Sequence, residues 1–156
     1  MKDKELKQLI LQLQERAKID TKELMGNSAR VEVAESKNVT IFLINDKPLF
    51  AKKDDSVFPA LGSDDLKKFL PQVVVNMGAV PHVCNGADIM APGIIHIKGD
   101  FRKDEFVVVV DEQHKKPLAI GVSLCDSETI KNMKHGKTIK NIHFVGDDLW
   151  RLLRKS

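Results

Sequence analysis

His82 and Cys84 form an H-x-C pair, and Asp88 follows close behind. Imidazole, thiolate and carboxylate are the groups that bind zinc, usually as a set of four. The zinc deaminase pattern needs H-x-E and then P-C-x-x-C, and the chain has neither string. The other cysteine, Cys125, has no paired ligand at short spacing, so no metal centre is expected. The bland reading is a surface histidine and a buried thiol on one helix. Cys84 as a nucleophile would need a base and an orienting third group. His82 lies two residues away, which on a helix points it elsewhere. His96, His114, His135 and His143 are scattered through strands and turns. There is no P-loop, no G-x-G-x-x-G and no G-x-S-x-G. The pairs Asp54-Asp55, Asp64-Asp65 and Asp147-Asp148 read as solvated or capping charges, not as an acid/base couple with divided pKa values. No catalytic residue, metal or cofactor is expected.

Two features stand above this background. Lys131, Lys134, Lys137 and Lys140 recur at every third position, and no acid falls between Thr129 and Gly146. His135 and His143 lie in or beside the strip, whereas elsewhere lysines and acids are mixed. Such a strip can track a phosphate backbone; it can also be a solvated face beside a turn. The second feature is G-A-D-I-M-A-P-G at 86–93. Gly86 can end a short helix over 79–85, and Pro92-Gly93 makes a tight turn. Glycine at both places permits close approach by another backbone, whether a nucleic acid's or the fold's own.

The elements that must position these residues can be read from periodicity. Asp3 can cap an amphipathic helix with Leu6, Leu9, Ile10 and Leu13 on one face. Asp20 and Glu23 sit at capping-box spacing for a second helix ended by Gly26. Val31 and Val33 alternate with Glu32 and Ala34 in a half-exposed strand, and VTIFLI at 39–44 suits a buried one. A turn at Asn45-Asp46-Lys47-Pro48 ends it, and a further strand includes 49–51. Ser63 caps a short helix with Asp64 and Asp65 in its first turn and Lys67 and Lys68 near its end, and Pro71 stops it. Beyond Pro71, strands are expected at 73–75, 106–110 (FVVVV), 118–124 (LAIGVSL, broken by Gly121) and through Ile139, Ile142, Phe144 and Val145. Short strands with frequent turn signals suggest a small β-barrel.

The bulk composition excludes several classes. With 156 residues, 42% hydrophobic and 30% charged, the chain is an ordinary globular protein of one domain or two small ones. Two domains of this size would each have a marginal core and would lean on each other. The net charge of +3 is equally compatible with a basic ligand-binding face and a solvated surface. Two cysteines make no disulfide framework and suggest a reducing compartment. No secretory signal and no apolar stretch of membrane-spanning length is present, so the cytoplasm is expected and a membrane is not.

V-x-x-G-A-V-x-x-x-x-x-G-A-x-I-M-x-P-G at 75–93 resembles the opening of a PUA domain, the module named for pseudouridine synthases and archaeosine transglycosylases. FVVVV resembles that domain's central strand, and PLAIGV at 117–122 its constant-glycine strand. Gly136-Lys137, N-I-H-F at 141–144 and G-D-D-L-W at 146–150 resemble its closing strand and tail. With G-A-D-I-M-A-P-G, the closing string is similar to the malignant T-cell-amplified sequence family and its archaeal relatives. The resemblance implies an α+β fold: an α/β pre-PUA domain at 1–71 and a PUA pseudo-β-barrel at 72–156. It further implies non-catalytic RNA binding, to tRNA or small-subunit ribosomal RNA, in translation initiation or recycling. The small ribosomal subunit and an initiation-factor-like protein are the implied partners. Residues 1–71 are too few for a pseudouridine synthase or transglycosylase catalytic domain. The rivals are a protein-interaction adaptor for a translation factor and an RNA-binding subunit of a modifying enzyme acting in trans.

The expected RNA site lies between the helix-plus-glycine segment and the last strand. His82, Asn85, Gly86 and Ala87 contribute from one side, and Lys134, Lys137, Lys140 and Asn141 from the other. Trp150, the sole tryptophan, is flanked by Leu149, Leu152 and Leu153, which favours burial over base stacking.

Overall fold

The computed structural model describes residues 31–36, 38–62 and 65–154, with Gln8 and Leu11 as helical positions. The two helices expected before residue 30 otherwise lie outside the described residues. The first sheet is an antiparallel meander of β1 (Val31–Ser36), β2 (Val39–Ile44), β3 (Lys47–Lys53) and β4 (Ser56–Pro59). Asn45 and Asp46, at φ 52° and 70°, make the two-residue hairpin between β2 and β3. Both central residues at positive φ fit the turn whose twist matches the flanking strands, and Asn and Asp tolerate it best. Lys47 and Pro48 therefore open β3 rather than end β2, and the proline is admitted beside a register shift between Phe42 and Leu43. β1 is an edge strand, and its Val33 is 40% exposed despite the alternation.

Helix α1 (Leu66–Phe69) follows. Its N-cap position is Asp65, which makes no side-chain cap and instead pairs with Lys47 at 2.6 Å and Lys68 at 3.3 Å. The expected cap Ser63 and the neighbouring Asp64 lie outside the described residues. Leu70 is extended, as the residue before a proline must be, and the helix stops there.

The second sheet has six strands in the order β6-β10-β9-β8-β5-β7. They are β5 (Gln72–Val75), β6 (Ile89–Met90), β7 (Ile94–Lys98), β8 (Phe106–Asp111), β9 (Pro117–Ser123) and β10 (Lys137–Phe144). All pairs are antiparallel except β5 with β8. Its two edges, β6 and β7, are joined in the chain by the single turn Ala91–Gly93. A sheet whose edges are one short turn apart has to curl, and it does so as a half-barrel.

The all-apolar runs have a plain cause. Phe106, Val108 and Val110 of β8, with Val74 of β5, face one core, which also holds Ile41, Phe50, Leu66 and Leu70. Val107 and Val109, with Val73 and Val75, face a second core inside the half-barrel with Ile97, Leu118 and Ile139. Strands buried on both faces cannot alternate. The first core spans both sheets, so the two halves lean on each other as the size argument required. Gly121 of β9 faces Ile139, where an added Cβ would sit 2.2 Å from that side chain.

The remaining helices are α2 (Val80–Val83), α3 (Ser127–Lys131) and α4 (Asp148–Arg154). The last takes up what the sequence suggested was only a tail. No helix among the described residues is long and apolar enough to cross a membrane.

Candidate nucleic-acid interface

Met77–Ala79 forms a 3-10 turn capped by Asn76, whose Oδ1 accepts the Ala79 amide at 2.9 Å, and α2 continues from it. The helix end is a Schellman closure. The Ala87 amide donates to the His82 carbonyl and the Gly86 amide to the Val83 carbonyl, at 3.0 and 3.1 Å. Gly86 has φ +91°, the left-handed conformation this motif needs, and Asn85 occupies the cap position just before it. The expected helix is thus present with its glycine stop, but shorter than 79–85: α2 covers Val80–Val83 and a turn over 84–86 follows. A Cβ on Gly86 would meet the Phe144 ring at 3.1 Å. The neighbour that demands a glycine here is a side chain of the fold.

β10 is locked against this turn by Asn141. Its Nδ2 donates to the carbonyls of Val83 and Ala87, both at 3.0 Å. Its backbone amide donates to Asp88 Oδ1 at 2.9 Å. The Asn141 Oδ1 is buried without a hydrogen-bond partner among the described residues. Thr138 Oγ1 donates to the Ile89 carbonyl at 2.8 Å, closing β6 on β10. The α2 turn and β10 are therefore joined directly, and His82, Asn85, Ala87, Lys137 and Lys140 are exposed along the two.

The lysine strip is free of acids in sequence but not in space. Asp88 reaches across to Lys137 Nζ at 3.6 Å, and Glu128 pairs with Lys131 at 3.4 Å. Lys134 and Lys140 are exposed and make no ion pair among the described residues. Lys134 stands in the turn before β10, and no hydrogen bond ties it to the α2 segment. Gly136 turns the chain at φ +97°. Asp88 is the residue the sequence undervalued: its partner lies 49 positions away, and the sole hint was its place beside Gly86-Ala87.

His143 does not join the basic strip. It is 1% exposed, and its ring lies between two partners. Nε2 accepts the Leu61 amide at 3.0 Å and Nδ1 faces Asp147 Oδ2 at 2.7 Å. The acceptor role of Nε2 assigns the ring proton to Nδ1, which donates to the carboxylate. Asp147 also accepts the amides of Phe144 and Trp150, at 2.9 and 2.7 Å. Burial works to raise the Asp147 carboxyl, but the hydrogen bonds from His143, Trp150 and Phe144 outweigh it and hold the group below the usual carboxylate range. The H-x-x-x-D spacing was the available signal. The dyad has no base to offer, because the lone pair on Nε2 is already taken. It fastens the end of the first sheet to β10 and to the start of α4.

Cys84 is half-buried at the rim of the second core, and burial pushes its thiol up, away from the reactive thiolate. His82 is exposed. No group of three or more potential metal ligands occurs among the described residues. Trp150 is half-buried, not in the core; Leu153 fills that place, with Leu149 and Leu152 packed against it. The Arg154 guanidinium lies over the indole, 4.8 Å from its centroid.

Comparison with known proteins matches residues 71–145 to the PUA domain family. Residues 1–63 match a family described as Domain of unknown function (DUF1947). An uncharacterized protein of Methanocaldococcus jannaschii is 41% identical over 131 residues, 82% of this chain and 80% of the relative. Translation machinery-associated protein 20 of Saccharomyces cerevisiae is 31% identical over 138 residues, 82% and 75% of the two chains. Malignant T-cell-amplified sequence 1 of Rattus norvegicus is 30% identical over 121 residues, 74% and 66% of the two chains. In structure, a hypothetical protein of Pyrococcus horikoshii OT3 is similar over 98% of this chain and 97% of its own, with TM-score 0.79 and 38% identity.

Proposed function

Because the chain belongs to the PUA-domain family of Translation machinery-associated protein 20 and Malignant T-cell-amplified sequence 1, we propose that it is a non-catalytic, cytoplasmic RNA-binding protein of the translation machinery. Its RNA is tRNA or small-subunit ribosomal RNA, and its step is initiation or recycling. The platform is the small ribosomal subunit together with an initiation-factor-like protein. The division of labour runs at residue 71, with a pre-PUA domain before it and the RNA-binding PUA domain after it.

The observation that carries this reading is the clamp of Asn141 on the α2 turn, which fixes that turn against β10 beside exposed lysines. Lys134 and Lys140, which spend no charge on a neighbouring acid, meet phosphates and supply affinity. Lys137 joins them when phosphate displaces Asp88. His82, Asn85 and the Gly86-Ala87 turn lie beside them on the α2 turn, where Asn85 offers an amide and His82 a ring to ribose hydroxyls or bases. A surface of this kind suits structured RNA, read by shape and 2′-hydroxyl contacts. Against the adaptor reading, β1 exposes Val33 beside Glu32 and Glu35, which is no broad apolar edge among the described residues.

Crosslinking in cells followed by sequencing of the bound RNA tests the proposal. Enrichment of tRNA or small-subunit RNA is the expected result. Recovery of no RNA above a mock control would overturn it.

A further inference from the structure

On the side of the molecule where the two sheets meet, Leu61, Gly62, Lys116, Pro117, Val145, Trp150 and Arg154 enclose a niche of about 270 Å³. Each wall comes from a different element. Leu61 and Gly62 follow β4, Pro117 opens β9, Val145 follows β10, and Trp150 and Arg154 lie on α4. The hydrogen bond from the Leu61 amide to His143 fixes one wall, and the bond from the Trp150 amide to Asp147 fixes another. The niche is thus held by the same buried dyad that joins the halves.

Its chemistry is selective. The chain has one tryptophan and no tyrosine, and this niche holds the indole half-exposed with a guanidinium over it. Lys116 and Arg154 are exposed and make no ion pair among the described residues. Among the described residues no carboxylate lines the space. The turn before Lys116 carries both signs: Lys67 Nζ donates to the Lys115 carbonyl at 3.0 Å, and Asp111 Oδ2 accepts the Lys116 amide at 3.2 Å. The guanidinium covers one face of the indole, and the ring's other face and edge are what a planar π-system would meet. Two unpaired cations at the rim favour a phosphate. The volume sits just below the roughly 300–1,000 Å³ of small-ligand pockets, and the niche is open to solvent on one side.

We propose that this niche binds a nucleotide, its base against Trp150 and its phosphate on Lys116 and Arg154. It is a second site, distinct from the surface formed by the α2 turn and β10. The same chemistry is presented by a free mononucleotide and by an unpaired nucleotide of an RNA strand.

Emission of Trp150 in the full chain tests it directly, because no other indole contributes. The ligands are AMP, UMP, a single-stranded hexanucleotide, a blunt RNA duplex and inorganic phosphate. Saturable quenching by the mononucleotides or the single strand, and none by phosphate or blunt duplex, is expected. A strand that binds about tenfold or more tighter than AMP identifies the source as RNA; equal affinities identify a free nucleotide. The Lys116→Glu/Arg154→Glu variant gives up the guanidinium contact with the indole, so circular dichroism checks that it is folded, and its quenching should weaken several-fold or more. Trp150→Phe, followed by calorimetry, should weaken binding by no more than about fivefold, and Trp150→Ala by about 5- to 100-fold. The Lys134→Glu/Lys140→Glu variant should retain the quenching, which separates this site from the lysines beside the α2 turn. No quenching by any nucleotide, equal quenching by phosphate alone, or quenching unchanged in Lys116→Glu/Arg154→Glu would overturn the proposal.

Discussion

Replacing His143 by alanine should cost about 3–5 kcal/mol of folding stability, and the figure can be built from its contacts. The ring accepts the Leu61 amide at 3.0 Å and donates to Asp147 at 2.7 Å, and it is 1% exposed. A stranded, mostly buried amide costs about 1–3 kcal/mol. The lost bond to the carboxylate adds about 1 kcal/mol, discounted because Asp147 is reached by water and keeps the Phe144 and Trp150 amides. The cavity left beside Phe58, whose ring centroid lies 6.1 Å from that of His143, supplies the rest. Against a total stability of roughly 5–15 kcal/mol this is a large loss. Urea unfolding followed by Trp150 emission and circular dichroism measures it. A double-mutant cycle with Asp147→Asn should give a coupling of about 1–2 kcal/mol. A loss below about 1 kcal/mol, or a coupling near zero, would refute the claim that this dyad joins the two sheets.

The remaining predictions follow from the same geometry. Gly121→Ala should destabilise by about 1–3 kcal/mol or more, because the new methyl would stand 2.2 Å from the Ile139 side chain, and a shifted urea midpoint reports it. Asp147 titrates below its ordinary range when folded, so the unfolded chain binds more protons and stability rises with pH across that window. Stability should therefore fall as pH drops below about 4, and Asp147→Asn should show a shallower fall in pH-dependent urea melts. With burial holding the Cys84 thiol up, its alkylation near pH 8 should be slower than that of a free thiol, measured in a Cys125→Ser background.

How much of this was legible in the sequence depends on what each residue faces. The runs at 39–44, 73–75 and 106–110 announced their strands, because each is buried well enough to be apolar without help from turn residues. Gly86 announced the helix stop because the Schellman closure has one natural residue for its left-handed position. β7 (IIHIK) was missed because it is an edge strand, with Ile95 and His96 exposed. α4 was missed because its seven residues resemble a closing tail, although Asp147-Asp148 reads as solvated or capping charges. The site was legible in part. Motif order brought the α2 turn and β10 together, as the Asn141 bonds do, but the Asp88–Lys137 pair and the burial of His143 are long-range facts that local charge counting cannot see. Trp150 was read as core from its leucine neighbours, yet those leucines fill the core and leave the indole at the niche.

The most direct test of the central claim is the salt dependence of RNA binding by the wild-type chain and Lys134→Glu/Lys140→Glu. Both lysines are exposed and free of ion pairs among the described residues, so the fold should be untouched. Each lost phosphate contact should flatten the slope of log affinity against log salt by about 0.7–0.9, so the double variant should lose roughly 1.4–1.8 and bind far more weakly at low salt. An unchanged slope and affinity would show that these lysines are a solvated face and that RNA, if bound, lies elsewhere.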